Sequence, residues 1–110
     1  MAKTTIKFLG HAAFSIQTPG GKTVLLDPWI QGNPLCPIKL GDIKKADLIL
    51  VTHDHTDHLG DAVEIAKKTG GLVVGCPETV GRLQKELKLP AEQVPFAGWG
   101  MNIGGTVSAP

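Results

Sequence analysis

The chain has 110 residues, and its eleven Lys and Arg residues against ten Asp and Glu residues give a formal net charge of +1. This balance offers no basic surface for a nucleic acid or an anionic membrane, so we expect neither as a partner. The length allows one domain at most. The N-terminus lacks an apolar secretion signal, no segment is long enough to span a membrane, and the two cysteines are far apart, which together predict a cytoplasmic protein.

Three short segments near the N-terminus have the alternating apolar pattern of β-strands, at residues 4–9, 12–17 and 23–26. Short turns join them, which predicts an antiparallel meander. Residues 28–42, with three prolines and two glycines, form an irregular loop. Trp29 and Ile30 begin this loop, either as a hydrophobic anchor or as a wall of a substrate pocket.

The second half alternates between strand and helix patterns. Residues 48–51 are four large apolar residues in a row, which predicts a strand buried on both faces. A helix at 61–68 and a strand at 72–75 would complete a βαβ unit. The remaining predicted elements are a helical turn at 42–46, a helix at 77–88, and short strands at 94–97, 101–103 and 106–108 around a turn at 98–100.

A cluster of metal-ligand residues follows the strand at 48–51. Three of the four histidines of the chain lie here, as His53, His55 and His58, together with Asp57. His53 and His55 are two residues apart, so on an extended backbone their side chains share one face and can share one ion. Asp57 and His58 are adjacent and could converge on a second ion. Imidazole and carboxylate ligands suit zinc, manganese or iron, whereas ordinary solvated loop residues do not account for the clustering.

Four other polar residues have competing interpretations. Asp27 ends a predicted strand, and is either a carboxylate that orients a metal-binding imidazole or a capping residue before Pro28. His11 either lines the site or is a plain turn residue. We expect Asp54 to point away from the ligands into solvent, and Asp61 to cap a helix rather than to serve as a ligand.

The pattern His53-x-His55-x-Asp57-His58, with an apolar strand before it and Leu-Gly-Asp after it, resembles the signature of the metallo-β-lactamase superfamily. Further motifs resemble a branch of small metal-dependent hydrolases related to the ascorbate-6-phosphate lactonases: Gly10-His11-Ala12-Ala13-Phe14, Asp27-Pro28-Trp29, Gly32-Asn33-Pro34 and Gly104-Gly105-Thr106-Val107. The resemblance implies an α/β (α+β) fold, the N-terminal half of an αββα sandwich. Residues 1–110 would then be half of one domain.

The resemblance also implies a function. The family expectation is a hydrolase that acts on a small ester, lactone or phosphoester through two divalent ions, Zn²⁺ first and Mn²⁺ or Fe²⁺ as alternatives, which generate a hydroxide. The metal ligands would be His53, His55, Asp57 and His58. Asp27 and His11 would contact these ligands from the next layer of residues without binding the metal. Asp57 would also orient the attacking water or carry its proton.

These four ligands provide two per ion, fewer than the three that a catalytic zinc keeps. We therefore expect the isolated chain to be inactive and a C-terminal half, in a second or a longer chain, to complete the site; a homo-oligomer is a further expectation. The alternative from another class is a non-catalytic half-domain that serves as an assembly or metal-binding module. A nuclease of the same superfamily is disfavoured by the near-neutral charge.

Overall fold

The computed structural model describes residues 3–94, 101–102 and 104–108, and its five strands form one sheet in chain order. The strands are β1 (Thr5–Gly10), β2 (Ala13–Gln17), β3 (Thr23–Leu26), β4 (Leu48–Leu50) and β5 (Leu72–Val74). The first three pair antiparallel, whereas β3, β4 and β5 pair parallel. The predicted meander followed by a βαβ unit is confirmed.

In the described part of the chain, three α-helices and two 3₁₀ turns accompany the sheet. They are α1 (Thr56–Leu59), α2 (Ala62–Thr69), α3 (Pro77–Lys85), and the turns Leu40–Asp42 and Ala91–Gln93. The prediction did not include α1, and it placed the first 3₁₀ turn too late. Helix α3 ends three residues before the predicted position, and the chain then turns back on it: Lys88 adopts a left-handed φ of 59° and the Leu89 N–H donates to the Leu83 carbonyl, six residues earlier.

The strands predicted near the C-terminus are not confirmed. Val94, residues 101–102 and residues 106–108 are not in strands, while residues 95–100 and 103 lie outside the described part of the chain. The Met101 N–H donates to the Gly75 carbonyl, just beyond β5, but no ladder of such bonds develops among the described residues.

The two faces of the sheet are both apolar but are covered differently. On one face, Leu25, Ile49 and Val73 are at most 2 % exposed and belong to the same core as Ile65 and Ala66 of α2. On the other face, the apolar side chains of β1 to β4 stay half-buried or exposed, with Ile6 at 64 % and Phe8 at 55 % exposure at the β1 end, whereas Val74 of β5 is buried. The opposite-face positions, matched by strand register, are Ile6, Ile16, Val24 and Leu48 in one row and Phe8, Phe14, Leu26 and Leu50 in the next.

The prediction that residues 48–51 are buried on both faces is therefore wrong within the described residues. Ile49 is fully buried, whereas Leu48 and Leu50 are only partly buried. The physical reason is that the described elements cover one face of β4 and leave the other face to solvent.

The loop after β3 is fastened to the start of α2. The Asp61 Oδ2 atom accepts hydrogen bonds from the backbone N–H groups of Ile30 and Gln31, both at 2.8 Å. Ile30 is 4 % exposed and joins the core, so the anchor interpretation holds for this residue. Asp61 occupies the N-cap position of α2, but its side chain makes no capping bond among the described residues. The predicted N-cap position of Asp61 is therefore confirmed, but its carboxylate binds the loop rather than the first turn of the helix.

Within the described residues, no helix combines the length and apolarity needed to cross a bilayer.

Cys36 and Cys76 are both partly buried thiols, and neither forms a disulfide in the described part of the chain.

Candidate metal centre

The chemistry-bearing residues collect at one edge of the sheet. Strands β1, β3 and β4 run in the same direction, since β1 and β3 are each antiparallel to β2 and β4 is parallel to β3. Their C-terminal ends therefore meet at one edge, where α/β sheets commonly place ligands. His11 follows β1, Asp27 follows β3, and His53 follows β4 after two residues. The short helix α1 then adds Asp57 and His58.

The three motif histidines lie against one another. The ring centroids of His53 and His55 are 4.6 Å apart, and those of His53 and His58 are 4.1 Å apart. His53 is thus the central ring of the group. The short separation of His53 and His55 agrees with the prediction that alternate positions on an extended backbone share a face. Their role as metal ligands stays a prediction.

A buried carboxylate holds two of these rings. The Asp27 side chain is 2 % exposed, and its Oδ2 atom accepts hydrogen bonds from His58 Nδ1 at 2.8 Å and from the Thr52 hydroxyl at 2.6 Å. Because that hydroxyl donates to Asp27, its oxygen accepts from His53 Nδ1, 2.9 Å away. Both imidazoles therefore use Nδ1 as the donor in these contacts, so Nε2 is the nitrogen of each ring that is left to meet a metal ion.

The Asp57 carboxylate lies between two imidazoles. Its Oδ2 atom is 2.9 Å from His11 Nε2 and 3.8 Å from His58 Nε2. Partial burial acts to raise the pKa of Asp57, but hydrogen bonds from its own backbone N–H and from His11, with His58 nearby, outweigh this and hold the pKa below the usual aspartate value. Asp57 is therefore an anion at neutral pH.

The buried side-chain amide of Asn33 stabilises the turn that carries His11. The Asn33 side chain donates from Nδ2 to the Gly10 carbonyl at 3.1 Å and to the Trp29 carbonyl at 3.0 Å, so it joins the β1 end to the loop after β3. The Trp29 ring meets the His11 ring edge to face, with centroids 5.5 Å apart. Trp29 thus flanks the histidine group, whereas Ile30 is the anchor.

The donor set fits a divalent cation of the zinc type. His11 Nε2, Asp57 Oδ2 and His58 Nε2 lie within 4.8 Å of one another, which is close enough to reach a common ion. Two imidazoles and one carboxylate are ligands of borderline and hard character, as zinc, manganese and iron accept. His53 and His55 contribute two more imidazoles beside this group.

The sequence prediction missed three supporting contacts. The Thr52 hydroxyl links Asp27 to His53 through two hydrogen bonds. The Asn33 amide stabilises the turn that carries His11, and the Asp61 carboxylate binds the loop that contains Trp29. An Asn before Pro is typical of an exposed turn, so the local sequence did not indicate that the Asn33 side chain is buried. Asp54 points away as predicted, with a 46 % exposed side chain that pairs with Arg82 at 3.3 Å.

Comparison with known proteins shows the family to which this chain belongs. The model of the family described as "Beta-lactamase superfamily domain" matches residues 5–90. A UPF0173 metal-dependent hydrolase of Koribacter versatilis is 50% identical over 102 residues, which cover 92% of this chain and 40% of that protein. A UPF0173 metal-dependent hydrolase of Staphylothermus marinus is 48% identical over 111 residues, which cover 96% of this chain and 45% of that protein.

Solved structures agree with this fold. Igni18, described as a novel metallo hydrolase from the archaeon Ignicoccus hospitalis, superimposes with a TM-score of 0.70 at 37% identity over 76% of this chain and 36% of that chain. A putative metal-dependent hydrolase from Parabacteroides distasonis gives a TM-score of 0.61 at 25% identity over 80% of this chain and 36% of that chain. The chain thus spans less than half the length of these relatives.

The sequence resemblance and the expected α+β fold are confirmed. The family match runs from the first strand to beyond the third helix and includes the whole His53–His58 segment. We conclude that the chain belongs to the beta-lactamase superfamily.

Proposed function

We propose that this chain forms the metal-binding part of a metal-dependent hydrolase that cleaves a small ester, lactone or phosphoester. The observation that carries the proposal is the hydrogen-bond system of Asp27, which engages the Nδ1 atoms of His53 and His58 and leaves their Nε2 atoms as the nitrogens that could bind an ion. The names of the two relatives, both metal-dependent hydrolases, support the same reaction class.

In this proposal His53 and His55 bind one divalent ion, and Asp57 and His58 bind a second. Zn²⁺ is the ion that we expect, with Mn²⁺ or Fe²⁺ as alternatives. Ions bound there would supply a nucleophile of lowered pKa and would polarise the substrate oxygen. The surrounding residues then have to fix the ligand rings, orient the water and limit access of solvent.

The contacts of the chain suit these three tasks. Asp27 fixes the tautomers of His58 and, through Thr52, of His53. Asp57 is ionised at neutral pH, so one of its oxygens can accept a hydrogen bond from the attacking water and orient it, or take its proton. The Trp29 ring lies edge to face against His11, and in this proposal it limits the access of solvent on that side of the group.

We further propose that the half-exposed face of the sheet is the docking face for a C-terminal half of the domain. Phe8 and Phe14 contact each other there, with ring centroids 5.2 Å apart, and Phe8 is 55 % exposed. A contiguous apolar sheet face of this kind usually marks an interface. The relatives have more than twice the matched length, which is enough for a second sheet.

The experiment combines the chain with the unmatched C-terminal part of the Koribacter versatilis relative. After chelation, Zn²⁺ or Mn²⁺ is added back and the hydrolysis of an aryl ester, a lactone and a phosphodiester is followed. We expect metal-dependent turnover of at least one substrate, and a loss of about 100-fold or more in His58→Ala. Asp54→Ala is the matched control, since Asp54 lies between two ligands in sequence but pairs with Arg82.

The other outcomes separate the alternatives. Metal binding without turnover of any substrate would contradict the hydrolase proposal and favour a non-catalytic metal-binding module. Cleavage of RNA alone, with binding that weakens steeply with salt, would favour a nuclease.

A further inference from the structure

His11 lies outside the histidine motif, at the corner between β1 and β2, yet its ring reaches the same carboxylate as His58. We propose that His11 is a third protein ligand, so that this chain alone holds one divalent ion through His11 Nε2, Asp57 Oδ2 and His58 Nε2. The inference rests on the proposed function, because it concerns the second ion of that site.

The distances suit ligation of one ion. In a tetrahedral zinc site with metal–ligand bonds of about 2.0–2.1 Å, two ligand atoms lie about 3.3 Å apart. The Asp57 Oδ2 atom is 2.9 Å from His11 Nε2 and 3.8 Å from His58 Nε2, values on either side of that separation. The second distance is too long for a hydrogen bond but suits two ligands of a common ion.

The backbone is strained to present this ring. His11 has a φ of 58°, a left-handed conformation that costs a non-glycine residue energy and that often marks a functional position. Gly10 before it has a φ of 98°, and a Cβ atom there would lie 2.8 Å from the Leu35 Cβ atom. Asn33 fixes the same corner through the Gly10 carbonyl. Because Gly10 pairs with Ala13, a positive φ at His11 is also what a two-residue hairpin turn uses, so the tight packing of Gly10 and the contact of Asn33 are the features that distinguish this corner.

The chemistry of the three groups is complementary. His58 is already held at Nδ1 by Asp27, so Nε2 is the atom that it presents to Asp57. The nitrogen through which His11 contacts Asp57 becomes a ligand on loss of its proton, as metal binding requires of any imidazole. One carboxylate and two imidazoles give this ion the three protein ligands of a catalytic zinc site.

The alternative is that His11 only donates a hydrogen bond to Asp57 and does not bind the ion. Substitution of His11 by glutamine distinguishes these two roles. His11→Gln retains an N–H group that can donate to Asp57, but an amide nitrogen does not bind zinc. His11→Ala removes both functions. If His11 is a ligand, both substitutions weaken metal binding; if it only orients Asp57, glutamine restores it.

The test is a Co²⁺ titration of the chelator-treated 110-residue chain, followed by visible absorption, which reports coordination independently of turnover. We expect one ion whose affinity falls by about 100-fold or more in both His11 variants, since even outer partners of metal ligands contribute about 10–100-fold. Asp54→Asn is the matched control and should bind as the unchanged chain does. Circular dichroism confirms folding, and the same titration in a His55→Ala background removes the contribution of the other histidine pair.

Each result decides the inference. Full affinity in His11→Gln, or in both His11 variants, overturns it while the proposed function stands. Absence of Co²⁺ binding by the unchanged chain overturns the inference, whereas the proposed function is then judged separately from the completed domain. If His11→Ala does not fold, the glutamine variant and a count of imidazole ligands by X-ray absorption on the unchanged chain decide the question.

Discussion

Asp27 and His58 are 31 residues apart in the sequence, yet the Asp27 carboxylate accepts a 2.8 Å hydrogen bond from His58 Nδ1. The contact joins the end of β3 to helix α1. It also explains the left-handed φ of 44° at Asp27, since the backbone must turn there to aim the carboxylate between Thr52 and His58. Loss of this one group should therefore disturb two of the motif histidines.

The first prediction concerns the charge of that carboxylate. Asp27 accepts hydrogen bonds from the Thr52 backbone N–H, the Thr52 hydroxyl and His58 Nδ1. We expect Asp27→Asn to lower divalent-ion affinity by about 10–100-fold, because the amide cannot accept all three of these bonds and no longer stabilises the ring of His58. The measurement is competition with a chromophoric chelator. Asp54→Asn makes the same chemical change at an exposed carboxylate and should leave affinity unchanged. Equal affinity of the two variants would show that Asp27 has no part in metal binding.

The second prediction concerns the close approach of two chain segments. Gly60 has a φ of 49°, and a Cβ atom there would lie 2.5 Å from the Trp29 Cα atom. We expect Gly60→Ala to lower the free energy of unfolding by about 2–4 kcal/mol, from overpacking together with backbone strain. Gly70→Ala is the control, since Gly70 also has positive φ but open space around its Cβ position, and should cost about 1–2 kcal/mol. Urea unfolding that gives equal losses would contradict the packing argument.

The third prediction is a pH dependence of folding at Asp47. The hydrogen bond from the Thr23 backbone N–H, 2.8 Å long, is the largest cause that lowers the pKa of Asp47, and Lys45 and Lys22 add to it against the effect of burial. A pKa that is lower in the folded state gives stability above the unfolded pKa of about 3.9 and loses it as pH falls through the folded value.

Asp47→Asn should therefore be less stable than the unchanged chain at pH 6, and the difference should shrink as pH falls below about 4. Thermal unfolding at several pH values measures it. Glu64→Gln, at an exposed carboxylate of α2, reports the background effect of removing one negative charge. A difference that stays constant between pH 6 and pH 3 would contradict the assignment.

The fourth prediction tests the half-exposed face of the sheet. Phe8→Lys should weaken association with the C-terminal half by about 10-fold or more, since burial of an aromatic side chain contributes about 1.5–3 kcal/mol. Lys7→Glu is the control, because neighbouring residues of a strand point to opposite faces. Analytical ultracentrifugation of the mixture gives the affinity. If Phe8→Lys abolishes self-association of the chain but leaves binding of the C-terminal half intact, the face is instead an interface between two copies.

Local patterns predicted the strands and the βαβ unit because the apolar alternation of β1 to β3 and the run in β4 reflect backbone geometry directly. Helix α1 was missed because four residues give no helical periodicity. Residues 48–51 were predicted to be buried on both faces because all four are apolar. The sequence of a strand shows its apolar character but does not show which elements cover each face. The pattern of β4 is thus consistent with a covering layer that the described residues do not contain.

The candidate site was predictable where its residues are close in sequence. The spacing from His53 to His58 identified the motif, whereas His11 reaches Asp57 across 46 positions and Asn33 reaches Gly10 across 23. Such contacts depend on strand order and on loop closure, which no local pattern specifies. For the same reason, Asp61 was expected to cap α2, although the Trp29 loop binds its carboxylate instead.

The most direct test of the account is anomalous diffraction at the zinc edge from crystals of the completed, zinc-loaded domain. The account predicts two zinc peaks, one bound by His53 and His55 and the other by Asp57 and His58. Zinc peaks located elsewhere, or no peak within bonding distance of these four side chains, would contradict it.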